Sequence, residues 1–127
     1  MIAASFKAYS SVEKHYHLDF LKEYYEDDIL SMNIVLKLYL EETPKDLEHI
    51  ESSLESNNAT EAKAATHKIK TNIAMLGIQG SAVFLDLMHE HKADAEVTKE
   101  ILSVFSLFKS DVLKALSDIK NDYFGKE

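Results

Sequence analysis

The 127-residue sequence contains no cysteine. Disulfides, thiolate metal sites and a cysteine nucleophile are therefore excluded. There are only three glycines and one proline. So few breakers leave little room for the turns of an all-β fold and favour long helices. No apolar run approaches the roughly 18 residues of a membrane span, because Lys37 interrupts the longest stretch, Ile29 to Leu40. Met1 to Ser11 carries too short an apolar patch for a signal peptide. These absences point to a cytoplasmic protein. The formal net charge of -8 lacks the basic footprint of a nucleic-acid binder and serves solubility. There is no glycine-rich phosphate loop, so no nucleotide site of the usual kind and no phosphorylation from ATP by the chain itself.

What is present is ordinary for a globular protein: 46% apolar and 28% charged residues. The length points to one domain over residues 1–127. The apolar periodicity is helical throughout. Tyr16 to Tyr25 reads as a first helix with Leu18, Leu21 and Tyr25 on one side. Asp27 or Asp28 can cap a second helix that places Ile29, Met32, Leu36 and Tyr39 on one stripe and ends near Glu42. Thr43 and Pro44 then read as the N-cap and first residue of a third helix, with Leu47, Ile50 and Leu54 inward and a stop at Ser56 to Asn58. Asn58 and Glu61 suit a capping box for a fourth helix. Its inward stripe is Ala62, Ala65, Ile69, Ile73 and Leu76, and Gly77 ends it in the left-handed conformation. A fifth helix follows, roughly Gln79 to His91, with Phe84, Leu87 and Met88 inward. The last runs from about Ala95 to Asn121, with Val97, Ile101, Val104, Phe108, Val112, Ala115 and Ile119 inward. Short turns between the last four imply antiparallel neighbours. The expected fold is all-α: an antiparallel up-down four-helix bundle with an additional N-terminal helix over one end.

The fourth helix carries the chemistry. Ile69 and His67 are two residues apart, so they point about 200° apart. With Ile69 in the core, His67 faces solvent. Thr60, Lys63, Ala64, Lys70, Thr71 and Ala74 fall within about 60° of it at the same 100° per residue. The strip is nearly flat, with one imidazole standing on it. A neutral imidazole is a good nucleophile toward an acyl-phosphate donor. Lys70, one turn on, can offset charge on phosphoryl oxygens, and nearby lysines disfavour the imidazolium form. No carboxylate lies on the strip to orient a hydrolytic water, which suits a carrier better than a phosphatase.

The run from Ala65 to Gly77, with His67, Ile69, Lys70 and the Leu76-Gly77 pair, resembles the signature of the histidine-phosphotransfer (HPt) family of two-component phosphorelays. Leu38 to Pro44, and Leu47, Ile50 and Leu54 after it, are similar to the family's preceding helix. The motif-bearing part is about residues 18–121. The resemblance implies His67 as phospho-acceptor, Lys70 as phosphoryl support and Gly77 as helix end. It implies receiver domains of response regulators or hybrid sensor kinases as partners, with Lys63, Ala64, Lys68, Thr71 and Ala74 as the docking strip. Lys63 and Lys68 read more readily as solvated-face lysines than as docking contacts. The chain departs from the family pattern at Thr71, where glycine is usual, and at Ser81, where many relatives have leucine. The added bulk of Thr71 narrows the set of partners or marks a copy that is not phosphorylated.

A second reading is therefore a degenerate HPt-like adaptor that binds a partner without phosphorylation. A metal-binding bundle is a third. His15 and His17, like His89 and His91, are spaced by two, which points the rings of each pair apart on a helix. Facing Glu-x-x-His pairs do not recur. No metal or cofactor is expected, and the chain is expected to be a monomer.

Overall fold

The computed structural model describes residues 15–125. Among these, five helices follow one another: α1 (Asp19–Tyr25), α2 (Ile29–Glu55), α3 (Ala59–Met75), α4 (Ala82–Glu90) and α5 (Lys99–Phe124). Helices α2 to α5 close a ring in which α2 touches α3 and α5, and α4 touches α3 and α5; α1 packs on α2. Side-chain contacts show that every neighbouring pair in the ring is antiparallel. His49 near the end of α2 meets Glu61 at the start of α3, whereas Asn72 near the end of α3 meets Thr43 in the middle of α2. Lys63 early in α3 reaches the end of α4. The Phe84 ring stacks on Phe108, and Gly80 abuts Asp111 further along α5. Lys109 pairs with Glu51, while Lys37 sits over Phe124. The fold is the expected up-down bundle.

The helix starts are local chemistry. Asp28, Asn58 and Thr98 each accept a hydrogen bond from the backbone N–H three residues on, satisfying donors that the first turn leaves open. Only half of the capping box forms at α3: the Glu61 carboxylate turns to His49 instead, at 3.1 Å. At the other end of α3, Ile78 N–H donates to Ile73 and Gly77 N–H to Ala74, with Gly77 at φ +56°. Gly77 serves a second purpose. His17 and His15 of the N-terminal segment hydrogen-bond to Gly77 and Gln79, and a Cβ on Gly77 would stand 2.2 Å from the His17 carbonyl oxygen. No residue with a side chain fits there.

Several boundaries differ from the sequence reading. The break at Thr43-Pro44 does not exist: α2 runs through it for 27 residues. Thr43 is not an N-cap but a buried helical residue whose hydroxyl donates to the Tyr39 carbonyl at 2.7 Å. Proline inside a helix costs roughly 3 kcal/mol. Fully burying a Leu, Ile or Met returns roughly 1.5–3 kcal/mol each. Met32 and Leu36 before the proline and Leu47, Ile50 and Leu54 after it are all buried. One continuous helix that covers both sets outweighs the penalty. Ile29, expected inward, is 63% exposed, since the stripe is covered only from Met32 onward. Helix α1 begins at Asp19 because the residues before it pair with the turn after α3. Helix α4 begins at Ala82 for the same reason. Helix α5 begins at its Thr98 cap, and Val97 before it donates its N–H to Asn57. Of the inward residues expected on the last two helices, Leu87, Val97 and Val104 are only half-buried, while Phe105 and Leu116 are buried in addition.

No helix among the described residues is long and apolar enough to cross a membrane.

Candidate functional site

Helix α3 presents two sharply different sides. Ala62, Ala65, Ile69 and Ile73 are buried, as is Thr66, whose hydroxyl is satisfied by the Ala62 carbonyl at 2.7 Å. Ala64, His67, Lys70, Thr71 and Ala74 are exposed. The alanines add only methyl groups, so His67 and Lys70 stand clear of their neighbours. Neither the His67 imidazole nor the Lys70 ammonium takes part in a hydrogen bond or ion pair among the described residues.

The other two lysines of this helix are engaged. Lys63 is half-buried, and its ammonium donates to three carbonyls at the end of α4: Met88 at 2.7 Å, His89 at 3.1 Å and His91 at 2.5 Å. An ammonium has three N–H donors, so none is left over. The structure therefore departs from a solvated-face Lys63: the side chain fastens α3 to the open C-terminal carbonyls of α4. Thr60 helps, donating to the Ala93 carbonyl. Lys68 is exposed but pairs with Asp46 of α2 at 3.0 Å. The hydrogen bond to Asp46, then its charge, raises the Lys68 ammonium above its ordinary value. Asp46 itself is buried and also accepts from Asn72, whose amide in turn donates to Thr43. This chain of polar contacts across the α2–α3 seam sits beside the His67 face and locks the register of the two helices.

A cleft of about 120 Å³ opens beside His67. Lys63, Thr66, His67 and Lys70 line it from α3, and Leu85, Met88 and His89 from α4. None of the lining residues is a carboxylate. The three from α4 escaped a reading of α3 alone. A helical wheel shows what stands on one helix and not what the next helix places against it. His89 drew notice in the sequence only as half of a histidine pair, and nothing there linked it to His67. Ala64, Thr71 and Ala74 lie on the exposed face outside the cleft lining, and Lys68 lies at the α2 seam. Among the described residues no three His, Asp or Glu side chains converge as a metal ion would need.

This geometry can offer a nucleophilic nitrogen to a large reactant, with an unengaged cation one turn away and little to obstruct approach. Comparison with curated proteins and with solved structures found no match. The family model for the Hpt domain matches residues 34–121, a stretch that holds the whole of α3 with His67 and Lys70, all of α4 and most of α5. With well over half of its length covered by that match, the chain belongs to the Hpt domain family.

Proposed function

We propose that this chain carries a phosphoryl group on His67, taking it from the aspartate of one receiver domain and passing it to another. One observation carries the reading: the His67 imidazole is exposed and unengaged beside an equally unengaged Lys70, on a face otherwise built of small side chains. Family membership supports it, since Hpt domains are phosphocarriers that work with receivers. In the forward step a ring nitrogen of neutral His67 attacks phosphorus. The N–P bond forms, the P–O bond breaks, and the electron pair leaves with the aspartate carboxylate. The proton on the other ring nitrogen stays in place. Lys70 balances charge on the phosphoryl oxygens, and no carboxylate lines the cleft to activate water against the product.

Ala64, Thr71 and Ala74 form the strip over which a receiver docks, with Lys68 at its α2 edge. Lys63 acts from beneath, as the fastener of α4. The chain is inert with ATP alone and works as a monomer in the cytoplasm. Thr71 favours a second reading, an adaptor that binds receivers without accepting phosphate, because its branched side chain stands one turn from His67 where the family usually has glycine.

Mixing the chain with phosphorylated receivers separates the two. Acid-labile phosphate should appear on the chain and vanish in His67→Gln. Label that survives this change sinks the assignment. A wild type that binds receivers but accepts no phosphate, while Thr71→Gly accepts it, establishes the adaptor.

A further inference from the structure

Lys63, Lys68 and Lys70 all stand within about one turn of His67 on α3, and each is disposed differently. Lys63 is committed to α4, and Lys70 is unengaged among the described residues. Lys68 directly follows His67, and its side chain is 66% exposed. Its ammonium is held by Asp46 of α2 at 3.0 Å. The Asp46 side chain is only 5% exposed. Its second oxygen accepts from Asn72 at 3.1 Å, and Asn72 is tied in turn to Thr43. The carboxylate is thus fixed from within the α2–α3 seam and cannot follow Lys68 outward. Glu42, the other carboxylate that acts on Lys68, is already paired with Lys45. A buried carboxylate adds little stability to a fold even when it is paired. What this one does is aim the Lys68 ammonium at α2, about 100° around the helix from His67, and away from the exposed strip.

We propose that Asp46 is a positioning residue for phosphoryl transfer: it withholds Lys68 from the phosphoryl group on His67, so that of these three lysines only Lys70 holds the group. A carrier must release what it accepts. A second ammonium on the phosphoryl oxygens would deepen the hold and slow the onward step. In that step an oxygen of the receiver aspartate attacks phosphorus and the P–O bond forms. The N–P bond breaks, and its electron pair returns to the His67 ring. Asp46 acts through Lys68 and takes no part in bond making. This inference rests on His67 being the acceptor.

The phosphoryl group itself reports the charge around it. The chain is labelled with phosphoramidate or, failing that, with a phosphorylated receiver. With phosphoramidate the His67 nitrogen displaces ammonia from phosphorus: the N–P bond to His67 forms, the donor's P–N bond breaks, and the leaving amine takes its proton from water. Phosphorus NMR then follows the last deprotonation of the group as pH is raised. A cation brought closer lowers the midpoint, and a cation removed raises it. Asp46→Asn keeps the shape and frees Lys68. It should lower the midpoint by about 0.3 to 0.7 pH, the roughly two- to fivefold effect of an exposed ion pair. Passage to a receiver should slow by a similar factor. Lys68→Gln leaves the Asp46 charge uncompensated and should raise the midpoint. The double variant should return close to the wild type, because the two charge changes cancel. Lys63, Lys70 and His89, which line the cleft beside His67, are the same in all four proteins. A seam that is merely structural would be loosened by either change, so both single variants would move together. Movement in one direction, or a midpoint that Asp46→Asn leaves in place, overturns the proposal. Should Asp46→Asn fail to fold, Lys68→Gln at its exposed site decides alone, and a midpoint that does not rise overturns it. A wild type labelled at a residue other than His67, or not at all by phosphoramidate or receivers, removes the acceptor reading and this inference with it.

Discussion

Lys70 and Lys63 lie seven residues apart on one helix, on the same side, and do different work. The difference comes from what each can reach. Lys63 finds the open carbonyls of α4 and gives up all three donors. Lys70 finds no partner among the described residues and keeps its charge available. Lys70→Ala should slow phosphoryl transfer while changing stability by less than about 0.5 kcal/mol, as is usual for exposed sites away from structural features. Transfer kinetics with a phosphorylated receiver, alongside urea unfolding, check this. Normal transfer with a large loss of stability would overturn the role. Lys68 shows why a lysine on the correct helix is not thereby part of the chemistry: its ammonium is drawn to Asp46, on another helix.

At the scale of the element, α2 is the informative case. Pro44 has no N–H to donate to the Leu40 carbonyl, and its ring crowds the preceding turn. The helix continues because its apolar stripe stays in phase across the proline: Leu36, Thr43, Leu47, Ile50 and Leu54 are all buried along one side. Pro44→Ala restores the missing donor. Part of the gain is returned through a freer unfolded chain. A net stabilisation of about 1–2 kcal/mol is expected from these opposing terms, read from the urea midpoint. Were Pro44 the first residue of a separate helix, the same change would be neutral or destabilising.

Across the whole molecule, the described N-terminal segment is tied to both the turn after α3 and the end of α5. Tyr16 is buried, its hydroxyl donates to Asp122 at 2.5 Å, and its ring meets Tyr123 edge-on. Burial, then the bond to Asp122 and its charge, holds the Tyr16 hydroxyl well above the ordinary tyrosine value. Burial, then Tyr25, raises Tyr39 as well. The unfolded chain loses these protons near pH ~10, while the folded chain keeps them. Above that pH the unfolded state binds fewer protons, so stability falls as pH rises. Lys68 acts in the same sense: its contribution is complete below about pH 10.4 and is lost as pH climbs through its raised folded value. Urea midpoints between pH 8 and 11 should fall at the alkaline end. Tyr16→Phe should flatten that fall even if it lowers the midpoint at pH 8. Parallel profiles for the two proteins would show that Tyr16 does not drive it.

Most of α3 was legible in the sequence. The period that buries Ala62, Ala65, Ile69 and Ile73 puts His67 outside, because residues two apart on a helix cannot share a face. Asp28, Asn58 and Gly77 mark their helix ends through bonds made within a few residues. Local chemistry of this kind is complete in the chain itself. The path of α2 through Pro44 was not, because a local penalty competes there with burial on distant neighbours. Nor were the hold of Lys63 on α4, the Lys68–Asp46–Asn72–Thr43 seam, or the meeting of His89 with His67 in one cleft. Helical periodicity sets the direction of a side chain about its own axis. Which atoms wait in that direction is decided only when the helices pack.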